Sequence, residues 1–221
     1  MKNKILLIIT LFISSFSFAQ LKPTFGVKAG ISSSGIRGDA ADNLTSLLDF
    51  SNGMITTNDH TGFFAGVNTN IPVTENFSIE PGIYYSQKGY ELKGAFNIKG
   101  LDFLGANAKA VLQSQYIDMP LLLKANFGGL QLFAGPQLSY LTKADLKTTA
   151  GVFGINLLNK TMDATSQFNR WDAAVTGGIG YQFSNGINLT ASYDYGLLKT
   201  DANKNINAYN HAIKLSIGVN L

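Results

Sequence analysis

Tyr116-Ile117-Asp118-Met119-Pro120-Leu121-Leu122-Leu123-Lys124-Ala125-Asn126-Phe127 decides the fold. Ile117, Met119, Leu121, Leu123, Ala125 and Phe127 alternate with Asp118, Pro120, Leu122, Lys124 and Asn126. A period of two residues puts the first set on one face of an extended strand and both charges on the other. Segment 115–127 is therefore read as a strand. Outward from it the same alternation recurs at 24–35, 61–71, 76–87, 131–142, 170–183, 187–197 and 209–221. No long amphipathic helix interrupts the series.

The apolar faces of these segments contain no Asp, Glu, Lys or Arg. The alternate positions carry Lys28, Glu80, Asp118, Lys124, Asp172, Asp194 and Lys214, set among Gly, Ser and Asn. A face meeting bulk water would be rich in Lys, Glu and Thr. A small, sparsely charged set suits the crowded interior of an eight-stranded barrel, with the apolar face turned to lipid. Phe25, Phe77, Tyr140, Trp171, Phe183 and Tyr195 fall near strand ends on the apolar face, where interfacial aromatics belong. The connections alternate. Pro72–Glu75, Gly128–Leu130 and Ser184–Gly186 are short and carry turn residues, whereas those near 36–60, 88–114, 143–169 and 198–208 are long. With the N-terminus periplasmic, every long loop lies outside the cell. The expected fold is all-β: an eight-stranded, antiparallel, up-and-down transmembrane β-barrel.

Composition agrees. Hydrophobic residues make up 45% and charged residues 14%, which excludes disorder. The absence of Cys excludes a disulfide scaffold, a Cys-based zinc site and a lipid-bearing Cys. The formal charge is +3, and Lys2 and Lys4 sit in the leader, so nucleic acid is not an expected partner. Met1–Lys4 is basic, Ile5–Phe18 is apolar and Ser17-Phe18-Ala19 is a small-x-small cleavage site. The apolar run is too short for a transmembrane helix. Residues 1–19 are read as a cleaved signal peptide and 20–221 as one outer-membrane barrel domain.

Several strands carry more specific strings. Glu80-Pro81-Gly82-Ile83-Tyr84-Tyr85-Ser86-Gln87-Lys88-Gly89, Tyr116–Lys124, Gly135-Pro136-Gln137-Leu138-Ser139-Tyr140-Leu141, Trp171-Asp172 through Gly178-Ile179-Gly180-Tyr181, and Ser192-Tyr193-Asp194-Tyr195-Gly196-Leu197 resemble the PorT-like outer-membrane β-barrel family. The resemblance spans nearly all of residues 20–221 and implies an outer-membrane barrel of OmpA/OmpX-like architecture. It implies no activity. The family's namesake is linked to a secretion and gliding apparatus, and no motif here carries that role across. Pro81, Pro120 and Pro136 fall in mid-strand, where bulges or local twist are expected.

The lumen charges are the first functional candidates. Register puts Glu80 beside Lys124 and Asp194 beside Lys214, and a paired network plugging the lumen is expected, because buried charge must be compensated. The two histidines, His60 in the first long loop and His211 at the start of the last strand, are expected to be a loop residue and an interfacial residue. No catalytic residue, metal ligand set or cofactor is expected. The role is read as structural or interactive, as an accessory of a secretion or envelope assembly. Expected partners are outer-membrane lipid and lipopolysaccharide, the barrel assembly machinery, and a protein reached through the outer loops. Asp42–Phe50 reads as a short helix, and Leu101–Leu104 and Val152–Leu158 read as strand extensions above the membrane. The alternatives are a narrow passive channel, a lipid-modifying barrel enzyme, or a secreted lipocalin-like binder with Ile117, Leu121 and Leu123 turned inward.

Overall fold

A computed structural model describes residues 22–38, 55–96, 106–152, 155–202 and 207–221. Its strands are β1 (Thr24–Arg37), β2 (Ile55–Pro72), β3 (Phe77–Phe96), β4 (Ala106–Phe127), β5 (Leu130–Val152), β6 (Ile155–Asp163), β7 (Trp171–Gln182), β8 (Ile187–Gly196) and β9 (Tyr209–Asn220). Every neighbour is antiparallel. β1 pairs with both β2 and β9, and the order β1-β2-β3-β4-β5-β7-β8-β9 closes on itself. The eight-stranded ring is thus a barrel without an edge, as a bilayer requires. The segments expected at 1–19, 42–50 and 101–104 lie outside the described residues.

The faces follow the alternation. Val27, Ile31, Val67, Ile83, Leu121, Leu123, Ile179, Leu215 and Ile217 point outward and are exposed. This excludes an inward-facing Leu121 and Leu123, and with it the lipocalin-like arrangement. Phe25, Phe77 and Phe183 ring one end, and Tyr140, Trp171 and Tyr195 the other, all exposed. Tyr140 and Trp171 meet edge to face at 5.0 Å. The turns sit at the end where β1 begins. Phe127 pairs with Leu130 across Gly128 and Gly129, whose φ of 59° and 97° are the positive values a two-residue hairpin needs.

Three expectations are corrected. The segments 88–114 and 143–169 are largely strand, not loop, although the strand extension expected over Val152–Leu158 is met by Val152 at the end of β5 and Ile155–Leu158 in β6. β3 runs on to Phe96 and pairs with β4 from Ala106, and β5 runs on to Val152 and pairs with the ninth strand, β6. Beyond the bilayer no lipid faces these residues, so nothing forces the alternation by which strands are recognised. The prolines produce no bulge. Each interrupts its ladder on one side only, Pro81 towards β2, Pro120 towards β3 and Pro136 towards β4, and pairing resumes in unchanged register. A strand residue aims its N–H and C=O at one neighbour, so a missing N–H costs one side. The ring's register shifts lie higher, between Asp59 and Phe64 and between Gln115 and Tyr116. His60 is not a loop residue: it lies within β2, paired with Ser34.

Candidate functional site

From the turns outward, the inward residues of β4 number the layers of the lumen: Lys124, Leu122, Asp118, Tyr116, Leu112. The lowest charged layer is Lys28, Glu80 and Lys124. Glu80 accepts from Lys28 at 3.2 Å and from Lys124 at 2.7 Å, all three side chains being nearly fully buried. Above it Phe64, Tyr84, Leu122 and Phe133 turn inward as an apolar layer. Glycine makes room for these rings. A Cβ on Gly178 would come 2.6 Å from Phe133, and one on Gly30 2.8 Å from Phe64.

The next layer is larger. Asp118 accepts from Lys88 at 2.9 Å, Lys214 at 3.2 Å, Ser86 at 2.7 Å and Ser139 at 2.6 Å. Lys214 also reaches Asp194 at 2.6 Å, and Thr176 donates to Asp194 at 2.8 Å. Asp172 accepts from Asn210 at 2.8 Å, and its second oxygen is buried without a partner. A cluster of Leu112, Tyr116, Leu141 and Ala144 roofs the β4–β5 side of this layer, with Tyr90, Leu146 and Phe168 packed against it. Between the charged layers a cavity of about 40 Å³ touches Lys28 below and Lys214 above. It has room for a few waters, not for a solute.

The sequence-predicted lumen residues Lys28, Glu80, Asp118, Lys124, Asp172, Asp194 and Lys214 therefore all point into one interior. They form two ion-paired groups, with Asp172 held by Asn210. Sequence reading misses Lys88, because it ends the third strand at Gln87. The even-numbered register Glu80, Tyr84, Ser86, Lys88 carries straight on and is the signal that would have found it. With Lys88 included, the lumen holds four lysines against four carboxylates among the described residues. The inward aromatics are missed as well, because a polar-against-apolar count does not register a ring on the polar face.

Above the ring, β2 through β6 continue as an open sheet. Glu91 accepts from Lys109 at 2.9 Å and Lys93 at 3.4 Å, and His60 Nδ1 stands 3.7 Å away. The hydrogen bond from Lys109 holds the Glu91 carboxyl below the usual carboxylate range, and Lys93 adds to the effect. β6 pairs with β5 on one side, and Leu158 and Met162 on it are exposed.

The family model for the outer membrane protein beta-barrel domain matches residues 18–202. Among solved structures, the chain is similar to Ail, the attachment invasion locus protein of Yersinia pestis, in complex with the heparin analogue sucrose octasulfate. The identity is 12%, covering 91% of this chain and 100% of that one, with a TM-score of 0.44. Neisserial surface protein A is 12% identical over 90% of this chain and 98% of its own, with a TM-score of 0.41. LpxR from Salmonella typhimurium is 9% identical over 88% and 99%, with a TM-score of 0.27. No curated protein sequence matches the chain.

Proposed function

The chain belongs to the outer membrane protein beta-barrel domain family, and from that premise we propose a non-enzymatic, non-conducting barrel that presents its outer sheet and loops to a protein partner. One observation carries the reading: the lumen is filled by side chains in a charge-balanced network, which leaves the outer surface free to act. Desolvated ions so paired are held by geometry, and moving one would strand its partner. On this reading residues 1–19 are a cleaved export signal and the affinity is PorT-like, as the Tyr116–Lys124 string suggests. The protein is then an accessory of a secretion or envelope assembly, delivered by the barrel assembly machinery. The passive-channel alternative would need an open lumen in place of this network.

Photo-crosslinking residues at positions 158 and 162, installed in living cells, test the interactive role. Adducts heavier than the monomer are expected at both positions. A protein that shifts on heating, reaches the outer membrane and yields no adduct would overturn it.

A further inference from the structure

Each of the four lumen lysines touches a carboxylate: Lys28 and Lys124 reach Glu80, Lys88 and Lys214 reach Asp118, and Lys214 also reaches Asp194. The converse does not hold. Among the described residues no Lys, Arg or His lies within salt-bridge distance of Asp172. Asp172 is nonetheless only 4% exposed. Asn210 donates to one of its oxygens at 2.8 Å, and the other is buried with no partner. A desolvated carboxylate is costly unless something it touches compensates it. The surplus lysine of the lower layer cannot do so, because Phe64, Tyr84, Leu122 and Phe133 stand between.

Asp172 lines a small cavity, and the sequence makes the room for it. Ala174 pairs with Gly196 across β7 and β8, and Asp194 pairs with Ala212 across β8 and β9. A Cβ on Gly196 would collide with the Asn210 carbonyl, so that wall stays bare. These three small residues leave a space of about 10 Å³ between Asp172 on the outer side and Asp194 below, with Lys88 across the lumen. One particle of water size fills it. Lys88 spends its donors on Asp118 and Ser139. His211 borders the space, but its ring lies on the outward face beside Tyr193. Among the described residues no three His, Cys, Asp or Glu side chains converge as a divalent centre requires.

We propose that this cavity binds one monovalent cation of sodium's size, held by the free oxygen of Asp172 and by the Asp194 carboxylate. The ion supplies the contact charge that Asp172 lacks. It sits above the apolar layer, so binding does not entail passage. The inference rests on the layered lumen and is independent of any protein partner.

The test uses the full chain refolded in zwitterionic detergent, in sodium, potassium or choline chloride at equal ionic strength. The readouts are the unfolding rate in urea and the line width of the sodium-23 resonance. Sodium at about 0.1 M should slow unfolding about tenfold relative to choline. Potassium, a larger ion, should do less, and the sodium line should broaden. Asp172→Asn has no surplus charge to compensate. It should be at least as stable as wild type in choline, and should lose both the sodium effect and the broadening. Asp145→Asn, on the outer sheet, should leave both unchanged. Equal unfolding in sodium and choline would mean that the cavity holds only water or that Asp172 keeps a proton, and would overturn the assignment. So would a sodium effect that survives Asp172→Asn in protein that shifts on heating, or an Asp172→Asn variant less stable than wild type in choline.

Discussion

Lys88 and Asp118 lie 2.9 Å apart in the lumen, and Lys109 and Glu91 lie 2.9 Å apart on the outer sheet. The first pair is almost wholly buried, with side chains 4% and 1% exposed, whereas the second is 42% and 17% exposed. Equal distance does not mean equal weight. In the lumen neither charge has water to fall back on, so loss of one partner strands the other. On the outer sheet water and salt replace a lost partner cheaply. One antiparallel sheet thus contains a region whose polar contacts are obligatory and a region whose contacts are adjustable. The boundary is the roof of Leu112, Tyr116 and Leu141.

Substitutions can widen or erase that difference. Asp118→Ala removes the acceptor shared by Lys88 and Lys214 and should cost about 3–5 kcal/mol. Urea unfolding in lipid vesicles measures it, and loss of the heat-dependent gel shift would be the gross sign. Lys88→Met leaves Asp118 with Lys214, Ser86 and Ser139 and should cost about 2 kcal/mol by the same measurement. A Lys88→Met cost equal to that of Asp118→Ala would mean that the network has no internal redundancy. Glu91→Gln should cost only about 0.2–1 kcal/mol. A larger loss would show that contacts on the outer sheet are no more adjustable than those in the lumen.

Acidification should be the gentlest perturbation. Glu91 is held low by Lys109, so its contribution is complete above the ordinary carboxylate range and is lost as the pH falls through its depressed value. Protection of the Lys93 and Lys109 amides, taken relative to the intrinsic exchange rate at each pH, should fall on acidification, while that of Asp118 stays high. Glu91→Gln should abolish the pH dependence.

How much of this is legible in the sequence depends on the solvent each region meets. Ile117, Leu121 and Leu123 announce the ring because lipid outside and a packed lumen inside force a strict period of two. Lys124 and Asp118 announce two charged layers for the same reason. Leu122, between them, hides the apolar layer, since an apolar residue on the inner face looks like noise until Phe64, Tyr84 and Phe133 converge on it. Lys88 is hidden by an early strand end. The extensions of β3, β4 and β5, and β6 with them, carry no strict alternation, because no lipid faces them and only their lower part, at Tyr90, Leu112, Ala144 and Leu146, is packed. The packing of Asp59 and His211 over Gly35 joins β2, β9 and β1, and only the closure of β9 on β1 brings it together.

The most direct test of the sealed lumen is single-channel recording in a planar bilayer, with wild-type protein whose gel mobility shifts on heating. The layered, charge-balanced interior predicts a flat baseline at either polarity. Stable, reproducible conductance steps from the pure protein would contradict it.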